Sequence, residues 1–371
     1  MLEIYLPLMF VLGAVIGSFL NVCIIRLPLE KSLLWPLTSR CGACLQPIAA
    51  RDNIPLISYC LLRGRCRTCG VGFSSAYFFV ELLTGLGFAG LYYLVVHENV
   101  HEIPVTPSQV LAMQSGLVPL KFWIIYAHHA VLFSFLMIVS CCDLAQREIP
   151  LSVTFTGAAF GLVFSMLWPW PWPYVTTGAV TILPIAGAPW WMPPILDPDP
   201  PLGALQLWPL WWPLPAWLAP GGTWYSGLLD GLAGMLAGSL VLRGIRRVFS
   251  TGMGVEALGL GDADLMMMAG AFIGWQPIII AFFVSVIPAL FFGVVQWVRS
   301  GDNAMPFGPA LAVGVLITCL YWNNFGMALV PLAFHWPLTG AIIGAGATFM
   351  FVSAVLLRFM RRVRGIAPEG N

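Results

Sequence analysis

Residues 122–142 read FWIIYAHHAVLFSFLMIVSCC, and Asp143 follows at once. No Lys, Arg, Asp or Glu interrupts the run. A helix of about 20 apolar residues crosses the hydrocarbon core of a bilayer. The stretch therefore reads as a membrane span that ends on a carboxylate. Leu265 to Val298 is equally free of charge. The whole chain agrees. Of its 371 residues 59% are hydrophobic and 9% charged, where soluble domains carry about 25% charged residues. The fold class that follows is an all-α polytopic membrane protein, with the lipid bilayer as its first partner. A net charge of +1 gives no electrostatic footprint for nucleic acid.

Working outward from 122–142, hydropathy gives about nine transmembrane or re-entrant helices. They are expected at 5–25, 76–96, 122–142, 151–168, 226–242, 264–276, 278–298, 308–325 and 337–357. Segment 264–276 is short for a full crossing. Gly274-Trp275-Gln276-Pro277 marks a turn or break after it, so this pair has the pattern of a re-entrant element. The first apolar run carries Glu3 instead of a basic leader. It ends in Gly17-Ser18-Phe19-Leu20-Asn21, not in a small-residue cleavage site, and so reads as a retained span.

Basic residues set the orientation. Arg26, Lys31, Arg40, Arg51, Arg63, Arg65 and Arg67 follow the first span. Arg243, Arg246 and Arg247 follow the fifth, and Arg358, Arg361, Arg362 and Arg364 end the chain. Segment 169–225 has no Lys or Arg at all. The positive-inside rule places 26–75, 243–261 and the tail in the cytoplasm, and 97–120 and 169–225 outside. Six regions follow: a first span (1–25), a small cytoplasmic zinc-binding domain (26–75), helices bearing one acid (76–168), a Trp/Pro-rich outer insertion (169–225), helices bearing a second acid (226–357) and a basic cytoplasmic tail (358–371). The insertion, with Trp168-Pro169-Trp170-Pro171-Trp172-Pro173, reads as an irregular lid on the outer leaflet. His97 and His101 stand four apart, a metal-binding spacing on a helix. The reading preferred for 97–120 is a solvated loop.

Nine cysteines, an odd number, argue against a simple disulfide framework. Cys23, Cys60, Cys141, Cys142 and Cys319 lie in or beside apolar runs and read as small hydrophobes. Cys41-Gly42-Ala43-Cys44 and Cys66-Arg67-Thr68-Cys69 are different. Each C-x2-C pair offers two thiolates to one metal, and two pairs close a tetrahedral structural zinc site. A reducing compartment favours metal over disulfide. Idle thiols or a redox pair are the plainer alternatives.

The candidate catalytic residues are Asp143 and Asp262. Asp262 stands in Gly259-Leu260-Gly261-Asp262, just before the apolar run 264–276. By the topology above both acids reach the cytoplasmic face. Carboxylates at the edge of lipid are costly and mark function. Two of them sharing a proton give one acid and one base, as water-mediated peptide hydrolysis requires. Taken singly, each Asp could equally cap a helix. Asp264 stands about 200° around a helix from Asp262, so the two cannot face one substrate. It is expected at the start of its helix, where the dipole favours an acid.

These residues resemble the type IV prepilin peptidase family, Gly-x-Gly-Asp aspartic peptidases also called leader peptidase/N-methyltransferases. The resemblance is carried by Gly17-Ser18-Phe19-Leu20-Asn21-Val22, the block from Arg40-Cys41 through Asp52-Asn53-Ile54-Pro55-Leu56-Ile57-Ser58-Tyr59 to Val80-Glu81-Leu82-Leu83, Asp143 with Ile149-Pro150, and Gly259-Leu260-Gly261-Asp262 with Pro306-Phe307-Gly308-Pro309. It implies a bacterial inner-membrane enzyme that cleaves the leader of prepilins or pseudopilins with Asp143 and Asp262. It further implies methylation of the new N-terminus with S-adenosylmethionine, by residues the sequence does not identify. The chain departs from the family pattern at Asp264, where Lys is usual, and at Phe78 and Leu151. A non-enzymatic membrane assembly factor or channel with a zinc-ribbon anchor is the alternative from another class.

Overall fold

Gly13 and Gly17 bring two helices so close that a methyl group on either would collide. A Cβ at Gly13 would lie 2.6 Å from the Thr84 carbonyl oxygen, and one at Gly17 2.8 Å from Glu81 Cα. This small-xxx-small spacing lets helices pack where lipid supplies no hydrophobic driving force. A leucine at Gly13 would force the pair apart at about 1–3 kcal/mol. The computed structural model describes residues 2–33, 38–101, 103, 105–167, 224–253, 259–300 and 306–322, with scattered positions from 324 to 352. Among the described residues the elements are helical, with two isolated antiparallel bridges. The chain divides into two compact units, residues 1–155 with 296–312, and residues 156–295 with 313–371.

The first unit contains α1 (Tyr5–Arg26), α2 (Ile57–Leu61), α3 (Ala76–Tyr92), α4 (Pro107–Gln114) and α5 (Leu120–Gln146). A π-helical turn, Tyr93–His97, extends α3. At one end of the unit Tyr5, Tyr92, Trp123 and Tyr126 form an aromatic cluster with ring centroids 5.6–6.1 Å apart. That end joins the start of α1, the end of α3 and the start of α5. At the opposite end Cys142 Sγ lies 3.9 Å from the Ile24 carbonyl oxygen, tying the end of α5 to the end of α1. The cysteine block follows α1 and leads into α3, so it shares this end with Asp143.

The second unit contains most of α6 (Leu151–Leu167), α7 (Trp224–Met253), α8 (Leu260–Ile273), most of α9 (Trp275–Ser300) and most of α10 (Gly308–Leu320). Gly231, Gly234 and Gly238 of α7 lie against the α8 backbone at Ala271, Gly270 and Met266. From Asp262 to Ile273 every residue except Met267 is buried. At 14 residues α8 reaches about 21 Å, short of the roughly 30 Å hydrocarbon core. The break expected after it is real. Gly274 sits at φ +78°, and α9 restarts at Trp275 with Pro277 in its first turn, where the missing N–H costs nothing. Buried Asp230 accepts the Trp275 N–H and so caps α9. Further along α9, Phe283, Ile287, Leu290, Phe291, Val294 and Val298 are exposed at helical spacing, an apolar stripe suited to lipid.

Five described helices are long and apolar enough to cross a membrane: Tyr5–Arg26, Ala76–His97, Leu120–Gln146, Gly227–Val248 and Trp275–Gln296. Leu151–Leu167 and Gly308–Leu320 are shorter apolar helices. Most of the expected insertion 169–225 and the tail 358–371 lie outside the described residues, and 337–357 is described only at scattered positions. One expectation is corrected. Segment 97–120 is solvated over 105–120, as expected, but it is not all loop. It contains α4, started by a Thr106/Gln109 capping box with Pro107 at its first position. His101 is buried, and its Nε2 lies 3.0 Å from His129 Nε2. The pair His97/His101 does not form a metal site. His97 instead stacks on Tyr93.

Candidate active site and metal centre

Asp143 lies in the last turn of α5 and is buried. Its Oδ2 accepts the backbone N–H of Gly308 at 2.8 Å. Gly308 is the first residue of α10, so the carboxylate meets an N-terminal N–H that no intrahelical carbonyl can use. A Cβ at Gly308 would lie 2.7 Å from that oxygen, which explains why Pro306-Phe307-Gly308-Pro309 has glycine there. The Arg147 N–H closes the helix onto the Asp143 carbonyl oxygen at 2.9 Å, with Arg147 in the left-handed region at φ +56°.

Asp262 belongs to the second unit. It does not precede its helix, as the sequence reading had it. α8 begins at Leu260, so Asp262 stands inside the first turn, with Gly259 as an extended N-cap. Asp264 is displaced from its expected dipole position for the same reason. It is buried past the first turn and takes an ion pair from α7, with Arg243 Nη2 3.0 Å from Asp264 Oδ1. Asp264 thus turns toward another helix, α7. Arg243 was read from sequence only as a topology marker. Its spacing from Asp264 carries no signal, because the pair joins two helices.

The four predicted metal ligands come together. One sulfur from each of Cys41, Cys44, Cys66 and Cys69 lies within 4.8 Å of every other, an arrangement that could hold a metal ion. Cys41 and Cys69 Sγ are 3.8 Å apart, close to the edge of a tetrahedron with metal–sulfur bonds of about 2.3 Å. The two halves of the block repeat one design. Cys41 N–H donates to the Gln46 carbonyl and Leu45 N–H to Cys41. Likewise Cys66 N–H donates to Val71 and Gly70 N–H to Cys66. Each turn ends in a left-handed residue, Leu45 at φ +58° and Gly70 at φ +72°. Bridges Arg40–Pro47 and Arg65–Gly72 close them. The N–H groups of Cys44 and Ala43 lower the Cys41 thiol, and those of Cys69 and Thr68 draw Cys66 down to about 6. Thiolate, the metal-binding form, is thereby favoured at the first cysteine of each turn, whereas Cys69, although the Val71 N–H lowers it, is pushed up to about 11 by burial and the neighbouring cysteines. Arg67 forks onto Asp52, Nε to Oδ2 at 2.8 Å and Nη2 to Oδ1 at 2.6 Å, fixing the second turn to the loop before α2.

Known proteins bear on both units. Residues 11–95 match the family described as Bacterial Peptidase A24 N-terminal domain. Residues 205–294 match the Type IV leader peptidase family. A protein named prepilin leader peptidase/N-methyltransferase from Myxococcus xanthus is 31% identical over 73% of this chain, and the alignment covers 57% of its own length. The protein of that name from Pectobacterium carotovorum is 29% identical over 82% of this chain and 88% of its own. The one from Aeromonas hydrophila is 26% identical over 86% and 92%. No solved structure matches. With both family segments in order along one sequence and relatives aligned across most of it, the chain belongs to the type IV prepilin peptidase family.

Proposed function

We propose that this protein is an aspartic endopeptidase of a bacterial inner membrane. It removes the leader of prepilins or pseudopilins at the cytoplasmic face and then methylates the freed N-terminus. The observation that carries the reading is the Gly308–Asp143 hydrogen bond, because it gives one block of the family pattern a direct hold on one proposed catalytic acid. In the proposed chemistry Asp143 and Asp262 share one proton. The ionised carboxylate takes a proton from water, and that water attacks the scissile carbonyl. The protonated partner donates its proton to the carbonyl oxygen. As the carbon–nitrogen bond breaks, the acid that took the proton from water passes it to the leaving amine, and its partner recovers a proton from the hydrated carbonyl. Gly308 keeps the Asp143 carboxylate oriented through the cycle.

Zinc at Cys41, Cys44, Cys66 and Cys69 is proposed as structural, since four thiolates leave no open position for a substrate. S-adenosylmethionine is the proposed methyl donor. The topology proposed is the one derived from the basic clusters, with the six sequence regions as its domains and the cysteine block in the cytoplasm. Leader cleavage is tested by co-expression with a candidate prepilin and mass spectrometry of its N-terminus. A shortened, methylated product is expected from the natural sequence, and full-length substrate from Asp143→Asn and Asp262→Asn. Intact leader with the natural sequence would favour the assembly-factor alternative.

A further inference from the structure

A cavity of about 620 Å³ lies in the first unit, between the end of α1, the start of α3 and the inner side of the cysteine block. This falls within the usual range for small-molecule sites, about 300–1,000 Å³. We propose that it is the methyl-transfer chamber, binding a sulfonium methyl donor beside the freed peptide amine, with the carboxylate of Glu81 receiving the cationic groups. The proposal rests on the methyl-transfer half of the proposed function and assigns it a place and residues.

Glu81 is the centre of the argument. Its Oε2 accepts the Leu56 N–H at 2.8 Å, and among the described residues Oε1 has no hydrogen-bond partner. Leu56 is held at φ +63°, ψ −50°, where a leucine stays only if its surroundings impose it. Ser58 Oγ pins the same loop, accepting from Ile54 N–H at 2.9 Å and donating to the Arg51 carbonyl at 3.1 Å. The strained loop is thus fixed as one wall. Opposite it, buried Asn21 donates through Nδ2 to the Tyr77 carbonyl at 3.0 Å, leaving its amide oxygen without a partner among the described residues. Tyr59, Phe73 and Tyr77 add aromatic surface, and Arg65 adds a cation.

This mixture suits one class of ligand. A sulfonium donor joined to an amino acid and a nucleoside needs an anion near its positive groups, a cation for its carboxylate and flat apolar surface for its base. The transfer balances with the groups present. The peptide ammonium passes one proton to Glu81 Oε1 and on to water. The nitrogen lone pair then forms a bond to the methyl carbon as the carbon–sulfur bond breaks. The electron pair of that bond stays on sulfur, leaving an uncharged thioether and a methylated ammonium. The chamber lies at the end of the unit that also bears Asp143, where leader cleavage would release the amine.

The test is calorimetric titration of the full chain in lipid nanodiscs with S-adenosylmethionine and with S-adenosylhomocysteine. Two variants probe the chamber. Glu81→Gln removes the charge but keeps an acceptor for Leu56. Gly72→Trp fills the space, since a Cβ at Gly72 would meet only the Gly64 carbonyl oxygen, at 4.0 Å. Zinc content and melting temperature report whether each variant is folded. Both should weaken binding by at least about tenfold, the scale of one charge-assisted contact. Photocrosslinking of the donor to the natural sequence gives a second answer that needs no variant. Adducts on Tyr59, Phe73 or Tyr77 support the chamber, and adducts found only elsewhere overturn it. Donor binding unchanged in both variants also overturns it, while leaving methyl transfer intact. A natural protein that cleaves leaders yet binds no donor removes the methyl-transfer reading itself, and the chamber with it.

Discussion

The Gly308 N–H donates to Asp143 Oδ2 at 2.8 Å, and a Cβ at Gly308 would come within 2.7 Å of the same oxygen. The position therefore tolerates no side chain without moving the acid. Gly308→Ala is expected to lower leader cleavage by roughly 10–100-fold, the cost of about 1.5–3 kcal/mol for a hydrogen bond to a charged group. Zinc content should stay at the natural value, because the cysteine block is built from other residues. Cleavage at the natural rate in Gly308→Ala would remove Gly308 from the site.

Long-period features of this site were legible in the sequence, and cross-helix features were not. The charge-free run before Asp143 and the glycine-bounded break at Gly274 follow from composition and backbone permission alone. The metal block was legible because C-x2-C spacing is local, and its two turns repeat the same hydrogen bonds. α4 was missed although Thr106-Pro107-Ser108-Gln109 carries both a capping box and an N-terminal proline. The polar signal at His97 and His101 dominated the reading there. Arg243–Asp264 and Glu81–Leu56 were beyond reach, since each joins segments whose separation in sequence says nothing about distance.

Zinc uptake by metal-free protein should release fewer than four protons at pH 7. Four ordinary thiols would each lose one proton on binding. Cys66, drawn down to about 6 by the N–H groups of Cys69 and Thr68, is already mostly thiolate at that pH. About three protons or fewer are expected in calorimetry repeated in buffers of different ionisation enthalpy. Cys66→Ser should bind zinc far more weakly. Release of four protons would show that the turn N–H groups do not hold a thiolate before the metal arrives.

His101 gives the first unit a pH dependence. Burial, and then the nearby His128, lower its pKa from 6.5 to about 3. The folded form therefore keeps it neutral while the unfolded chain takes up a proton below about 6.5. Stability is complete above that pH and falls as pH drops toward 3, at about 1.4 kcal/mol per unit. His101→Gln keeps hydrogen-bonding groups and removes the titration. Its melting temperature should fall less between pH 7 and pH 5 than that of the natural protein. Parallel curves for the two proteins would rule His101 out as the source.

Arg243 and Asp264 separate stability from catalysis. The Asp264 side chain is 9% exposed, and that of Arg243 is 52% exposed. Removing one partner of a fully buried pair costs about 3–5 kcal/mol, because a lone charge is left behind. The half-exposed arginine lets water share that burden, so roughly 1–2 kcal/mol is the expected loss for Arg243→Met. The double variant Arg243→Met/Asp264→Leu removes both charges and should recover most of it, since an apolar pair suits the α7–α8 contact. Thermal unfolding in one detergent compares the three proteins, and a double variant less stable than Arg243→Met would contradict the pairing argument. The same residues test the assignment of the acid. Asp264 is committed to α7, and residues two apart on α8 lie about 200° apart around its axis. Asp262 is the residue proposed for chemistry. Asp262→Asn should abolish leader cleavage, and Asp264→Asn should keep most of it at a lower melting temperature. The opposite pattern, with Asp262→Asn active and Asp264→Asn dead, would move the catalytic role to Asp264 and make Arg243 its partner.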